Sequence, residues 1–188
     1  MPVKGVNIRY TSDRVKESLF SILGATVEGS RFLDLCAGSG NVGIEAISRG
    51  ADSVTFVDFN PLCVRNIIAN LQRCNISIDH PKVNVIKMDI FKAIEYFNRN
   101  GISFDIIFID PPYHSGILKK AIHEISLNNI LLEGGRIIAE HDAKEIMDTD
   151  IDELIMTRQQ KYGTTLLSFY QKVAVQYNSN ENGDTYGG

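Results

Sequence analysis

The sequence predicts an α/β fold, a doubly wound, mostly parallel sheet, and three observations carry that prediction. Short apolar runs rich in β-branched residues alternate with amphipathic helical segments along the chain. A glycine turn, Gly38-Ser39-Gly40-Asn41-Val42-Gly43, follows the first of those runs and opens a helix. Acidic residues then close the next three runs at Asp58, Asp89 and Asp110. In sheets of this kind ligands bind outside the carboxyl ends of the strands.

Each element has its own local cause. Thr11, Ser12 or Asp13 can cap a helix to about Leu23 that places Val15, Leu19, Ile22 and Leu23 on one face. RFLDLC (31–36) is the first strand, broken by the glycine turn, and the helix that follows stops at Gly50. SVTFVD (53–58) is the second strand, and Pro61 suits the first turn of a helix to about Cys74. VNVIKMD (83–89) is the third strand, followed by the short helix FKAIEYFNRN, with Phe91, Tyr96 and Phe97 expected in the core. FDIIFI (104–109) is the fourth, and a helix runs from about Gly116 to Ser126. GGRIIAEHD holds the fifth strand, and LIMTRQQKYGTTLLSFYQK folds back on itself near Tyr162-Gly163 as an antiparallel pair.

Length and composition narrow the class. A chain of 188 residues with 44% hydrophobic and 22% charged residues suits one domain, placed here at residues 1–172. The polar, Asn- and Gly-rich end, 173–188, is expected to be a disordered tail. Net charge is −4, which argues against a protein that coats nucleic acid through its overall charge. Locally, Lys4, Arg9, Arg14 and Lys16 outweigh Asp13 and Glu17 in the first twenty residues. No apolar run approaches a membrane span and the N-terminus has no signal-peptide pattern, so a cytoplasmic protein is expected. Cys36, Cys63 and Cys74 have no metal or redox spacing and read as reduced, mostly buried thiols. No metal site is expected.

The glycine turn and Asp58 together suit a bound adenosine, with the acid on the ribose hydroxyls. That pattern fits both NAD and S-adenosylmethionine (SAM). Asp34 separates the two: four residues before Gly38, its carboxylate can meet an ammonium but would repel a pyrophosphate. Its alternative role is to brace the loop. Asp89 can accept from an adenine amino group or cap the next helix, and the two roles are compatible.

Asp110-Pro111-Pro112-Tyr113 poses the chemical question. An exocyclic amine on a nucleobase is a poor nucleophile, because its lone pair is delocalised into the ring. A carboxylate and a proline-fixed carbonyl can accept both N–H bonds and turn the lone pair toward an electrophile. The neighbouring aromatic ring can stack on the base. A plain strand ending with a structural tyrosine is the other reading.

Asp34-Leu-Cys-Ala-Gly-Ser-Gly40 with Asp110-Pro-Pro-Tyr113 resembles the class I SAM-dependent methyltransferases that act on exocyclic amino groups. RYTSDRVKESLFSIL (9–23), FLDLCAGSGNVGIEAISRGA and KYGTTLLSFYQK (161–172) resemble the RsmD family of 16S rRNA guanine-N2 methyltransferases. The resemblance implies a seven-stranded sheet of order 3-2-1-4-5-7-6 with strand 7 antiparallel. It implies methyl transfer from SAM to N2 of a guanine of 16S rRNA, presented on an assembling 30S subunit; a monomer is expected. Gly38 and Gly40 would border the methionine part, Asp58 the ribose and Asp89 the adenine, with Ala37, Phe59 and Ile90 beside them. Asp110, the Pro111 carbonyl, Pro112 and Tyr113 would orient the guanine. Thr11 and Arg14 would close over the cofactor or target, and RNA docking would rest on Lys4, Arg9, Arg14 and Lys16. Tyr10 stands where a proline is common in this family.

Related chemistries share these motifs. D-P-P-Y also serves adenine-N6 methylation of DNA or RNA, and a variant with Asn serves a glutamine amide. An NAD-dependent oxidoreductase, or a nucleotide-binding module without catalysis, is the alternative of another class. His114 reads as a loop residue or substrate contact, and His80, His123 and His141 as structural or exposed. Glu140-His141-Asp142 ends a strand at the rim of the cleft with no catalytic role assigned. Lys119-Lys120 reads as a solvated helix face, with an RNA contact as the other reading.

Overall fold

A computed structural model describes residues 12–173, and within it one eight-stranded sheet has order β3-β2-β1-β4-β5-β8-β7-β6. The strands are β1 (Arg31–Leu35), β2 (Ser53–Asp58), β3 (Val83–Lys87), β4 (Phe104–Ile109), β5 (Leu131–Asp142), β6 (Asp150–Ile151), β7 (Leu154–Tyr162) and β8 (Thr165–Lys172). The first five run parallel, β8 lies antiparallel to β5, and β7 and β6 continue the antiparallel end. Lys4, Arg9, Tyr10, Thr11 and all but the first residue of the expected tail lie outside the described residues.

The expected order is found, with one strand more than expected. β6 is the addition: its two residues pair with Leu154 and Ile155 across a turn in which Asp152 adopts φ 53°. Two residues carry no periodicity, so no sequence pattern announces such a strand. The fifth strand also begins earlier than expected, at Leu131, and absorbs Gly134 (φ 70°) where its register against β4 shifts.

Helices cover both faces of the sheet: α1 (Asp13–Leu23), α2 (Asn41–Ser48), α3 (Pro61–Arg73), α4 (Ile90–Arg99) and α5 (Ile117–Leu127). Ser12 caps α1 by accepting from the Val15 amide, and Asn60 caps α3 by accepting from Leu62, ahead of Pro61. Strand β4 shows why the core forms on both sides. Ile107 and Ile109 pack with Ala121, Ile122 and Phe97 on one face. Ile106 and Phe108 pack with Leu19, Phe20 and Phe32 on the other. A central parallel strand buried on both faces must read as a continuous apolar run, as FDIIFI does. Tyr96 departs from the expectation of a core residue. It is exposed, with its ring edge-on to the buried Phe97 at 5.6 Å between centroids.

Helix α1 and the closing hairpin are tied together. Ser18 on α1 and Tyr162 at the end of β7 share a hydrogen bond through their hydroxyls. That bond holds the closing hairpin against the N-terminal helix on the face opposite α4 and α5.

Candidate active site

The carboxyl ends of β1, β2 and β4 and the start of α4 enclose a cavity of about 440 Å³. β1 contributes Asp34, and the turn after it contributes Ala37 and Gly38. β2 contributes Asp58 and the adjoining Phe59, and α4 begins there with Asp89 and Ile90. β4 delivers Asp110, Pro111 and Pro112. Ten residues singled out from the sequence thus meet in one space, although they come from four separate segments.

Backbone geometry makes the glycine turn possible. Gly38 and Gly40 adopt φ 56° and 75°, in the left-handed region where a side chain would be strained. Gly40 is the N-cap residue of α2 and does not itself border the cavity. Gly43 has a different reason to be glycine: a Cβ there would overlap the ring of Phe56, a fully buried residue of β2. The helix can approach the strand this closely only without a side chain.

Two strand-end carboxylates brace this turn. Asp34 Oδ2 accepts from the Gly43 amide at 2.9 Å, in the first turn of α2. Asp58 Oδ2 accepts from the Gly38 amide at 2.9 Å, and its Oδ1 accepts from Asn60 at 2.8 Å. Asp89 caps α4, accepting from Phe91 at 3.0 Å and Lys92 at 3.3 Å. The bracing and capping roles read as alternatives from the sequence are therefore present for Asp34 and Asp89. Each carboxylate has about four acceptor sites, so these bonds leave capacity toward the cavity.

The cavity is electronegative. Burial pushes the Asp34 carboxyl up to about 7, against the Gly43 hydrogen bond, and the charge of Asp58 adds to the rise. Burial likewise drives the Cys36 thiol far above its usual range, helped by Asp58, Asp110, Asp34 and Asp89 in turn. Burial and the Asp58 carboxylate push Cys63 up to about 11. Four carboxylates thus converge on one thiol within a single hollow, a field that favours a cation and disfavours a phosphate.

Several cavity residues carry no sequence signal. Cys36, Cys63, Met88, Phe108 and Ile117 form much of its apolar wall. They read individually as core positions, and only the sheet order brings them together. Phe59 is the converse, a large ring 70% exposed at the rim. Of the three cysteines, Cys63 is buried, Cys36 is partly so, and Cys74 is exposed, against the expectation that most are buried.

Tyr113 lies beyond the cavity wall, its hydroxyl 3.4 Å from Thr165 Oγ1 at the start of β8. Asp110, Tyr113, Glu140 and Thr165 are all engaged by partners in the fold. His114, at φ 57°, donates its amide to Glu145 and presents an exposed ring. His141 is fully buried between β5 and β8, Nε2 at 2.8 Å from Ser168 Oγ and Nδ1 at 3.0 Å from the Asp142 carbonyl. It is structural, and burial lowers its pKa. Arg14 is exposed on α1, while Lys16 points toward α2, 3.7 Å from Glu45. Lys119 pairs with Asp148 at 3.3 Å, and Lys120 lies over the Phe91 ring at 4.5 Å.

Solved structures named as methyltransferases share this fold, two of them at TM-scores of 0.68 and 0.70. The chain belongs to the family described as Conserved hypothetical protein 95, whose model matches residues 1–171. YlbH of Bacillus subtilis, which carries a provisional rRNA methyltransferase name, is 36% identical over 170 residues, 90% of this chain and 91% of that one. Ribosomal RNA small subunit methyltransferase D of Haemophilus influenzae is 37% identical over 134 residues, 71% of this chain and 67% of that one. A solved Escherichia coli structure, yhhF, also provisionally named a methyltransferase, matches with a TM-score of 0.77 at 28% identity. It covers 93% of this chain and 92% of its own.

Proposed function

We propose that this chain transfers a methyl group from SAM to the exocyclic N2 amine of a guanine in small-subunit rRNA. The observation that carries the reading is the single cavity in which the glycine turn, four carboxylates and Pro111-Pro112 meet. SAM supplies an electrophilic methyl on a sulfonium and carries an ammonium. Both positive groups suit the electronegative hollow, whereas the pyrophosphate of NAD does not. In this reading Asp34 faces the ammonium, Asp58 the ribose and Asp89 the adenine, with Phe59 and Ile90 against the ring and Ala37 and Gly38 around the methionine part, while Gly40 shapes the turn behind them.

The chemistry belongs to the end of β4. Asp110 accepts one amine N–H and the Pro111 carbonyl the other, so the nitrogen lone pair points at the methyl carbon. The new N–C bond forms as the S–C bond breaks, its electron pair stays on sulfur, and the extra amine proton leaves to water. Asp110 relieves the positive charge that grows on nitrogen. Pro112 keeps the motif rigid and Tyr113 stacks on the base. A base inside a duplex cannot present its amine, so the guanine enters unpaired or flipped.

The small-subunit assignment draws on the names of the relatives and on the N-terminal motif. Arg9, Thr11, Arg14 and Lys16 are the proposed RNA contacts, and the assembling 30S particle in the cytoplasm is the proposed setting. Among the described residues no helix is long and apolar enough to cross a membrane. The test is a labelled-methyl assay on unmodified 30S subunits, naked 16S rRNA and DNA side by side, with the product base identified by mass spectrometry. N2-methylguanine in the ribosomal substrates is expected. N6-methyladenine, or label in DNA alone, would overturn the assignment.

A further inference from the structure

The motif at the end of β4 suits any exocyclic amine, so a further group must tell guanine from adenine. We propose that Glu140 is that specificity-determining residue, its carboxylate accepting the N1–H of the guanine whose amine Asp110 holds. This rests on the reading of the site given above.

Position is the first argument. Ile109 of β4 pairs in register with Ala139 of β5, so the next residues, Asp110 and Glu140, stand side by side at the carboxyl ends of adjacent parallel strands. Side chains alternate along a strand. Ile109 and Ala139 pack on one face and Phe108 and Ile138 on the other, so Glu140, within β5, follows the second pair, and Asp110 is the first residue past the end of β4. Neighbouring strands lie about 4.8 Å apart. That separation lets two side chains reach adjacent atoms on one base edge.

The second argument is the space. A further cavity of about 330 Å³ adjoins the first, with Pro111 and Pro112 lining both. Glu140, Leu118 and Met147 are also among the residues that line it. A base whose amine sits at Asp110 thus has room beyond the prolines, and Glu140 borders that room.

Chemistry supplies the third. Glu140 is only 2% exposed, and a carboxylate so deeply buried must be satisfied by donors. It already has a partner in the fold, and a carboxylate retains further acceptor sites beyond one. Guanine carries a donor, N1–H, next to its amine. Adenine carries at that place a bare nitrogen, an acceptor, which an ionised carboxylate repels. An acceptor-only group beside the amine-holding group therefore selects guanine, and nothing in the transfer step itself requires it.

The test uses small-subunit particles reconstituted from RNA with either guanine or 2,6-diaminopurine at the methylated position. The analogue keeps the N2 amine but has a bare N1. Wild-type protein is expected to methylate guanine faster by roughly tenfold or more, the range of a hydrogen bond to a charged group. Glu140→Gln, whose amide can donate to a bare N1, is expected to shrink or invert that ratio while its SAM dissociation constant stays unchanged. A purely structural role would slow both substrates by the same factor, and an unchanged ratio overturns the proposal. So does a wild-type enzyme that treats the two bases alike, a result that needs no variant to fold. Failure of wild-type protein to methylate the guanine particle would instead remove the rRNA reading on which this one stands.

Discussion

Asp34 Oδ2 accepts a hydrogen bond from the Gly43 amide at 2.9 Å, tying the end of β1 to the first turn of α2 across the glycine turn. The bond is made by a carboxyl that burial has pushed up to about 7. In the folded protein Asp34 therefore keeps its proton over a range in which the unfolded chain, with an ordinary Asp near 3.8, has lost it. Stability falls wherever the folded state holds more protons than the unfolded. Asp34 thus contributes stability fully present below the unfolded value and lost as pH rises to about 7. Urea midpoints of the wild type, compared with Asp34→Asn, are expected to decline more steeply from about pH 4.5 to about pH 7. Parallel profiles would show that Asp34 does not titrate in this way.

A cation beside that carboxyl reverses the balance. If the SAM ammonium meets Asp34, binding favours the ionised form and expels a proton at neutral and mildly acidic pH. Affinity for SAM is then expected to tighten by up to roughly tenfold between about pH 6 and about pH 8. Calorimetry in two buffers of different ionisation enthalpy reads the released proton directly. Asp34→Asn should show neither the release nor the pH dependence.

Gly43→Ala tests the closeness of α2 to β2. The added methyl would overlap the Phe56 ring, which is fully buried and has no room to withdraw. Overpacking of this kind costs about 1–3 kcal/mol. The substitution also shifts the amide that Asp34 holds, so SAM affinity is expected to fall together with the unfolding midpoint. A fully stable Gly43→Ala variant would mean that the helix can retreat.

Asp58 and Asp110 are expected to separate binding from chemistry. Asp58→Ala removes acceptors from the Gly38 and Asn60 amides as well as from the ribose, so its principal effect is a raised SAM dissociation constant. Asp110→Ala leaves those bonds untouched, so SAM binding stays near normal while methylation is abolished. Turnover retained by Asp110→Ala would take it out of the mechanism.

Tyr113 offers a ring and a hydroxyl of unequal worth. The hydroxyl meets Thr165 at 3.4 Å, too long for a strong hydrogen bond. Tyr113→Phe is therefore expected to keep most activity. Tyr113→Ala removes a stacking surface worth roughly 1–3 kcal/mol per base and should raise the KM for RNA by about tenfold or more. Equal effects of the two substitutions would assign the role to the hydroxyl instead.

The parts of this fold that are legible in the sequence are those with a local cause. Pro61 marks the start of α3, and FDIIFI declares a buried strand. The acids Asp34, Asp58, Asp89 and Asp110 are visible because they end runs whose neighbours are apolar. The apolar wall is not legible, since Cys63 and Met88 look like any core residue until β1, β2 and β3 are set side by side. Glu140 is passed over as a rim residue for a similar reason. Its place beside Asp110 depends on the register of β4 against β5, which no local pattern encodes. Tyr96 misleads in the opposite way, since helical spacing suggests a core position but its ring lies outside Phe97.

The antiparallel end has a bearing on how the protein is made. β8 is the last strand among the described residues, yet it pairs with β5 on one side and β7 on the other. While the ribosome is still extending the chain past β7, the edge of β5 that includes Ile137 to His141 has no strand to cover it. Pairings between distant segments form slowly, and exposed strand edges invite association with other chains. Termination before Thr165 would leave that edge bare permanently. Loss of the final strand should therefore appear first as aggregation of newly made chains rather than as a defect in catalysis.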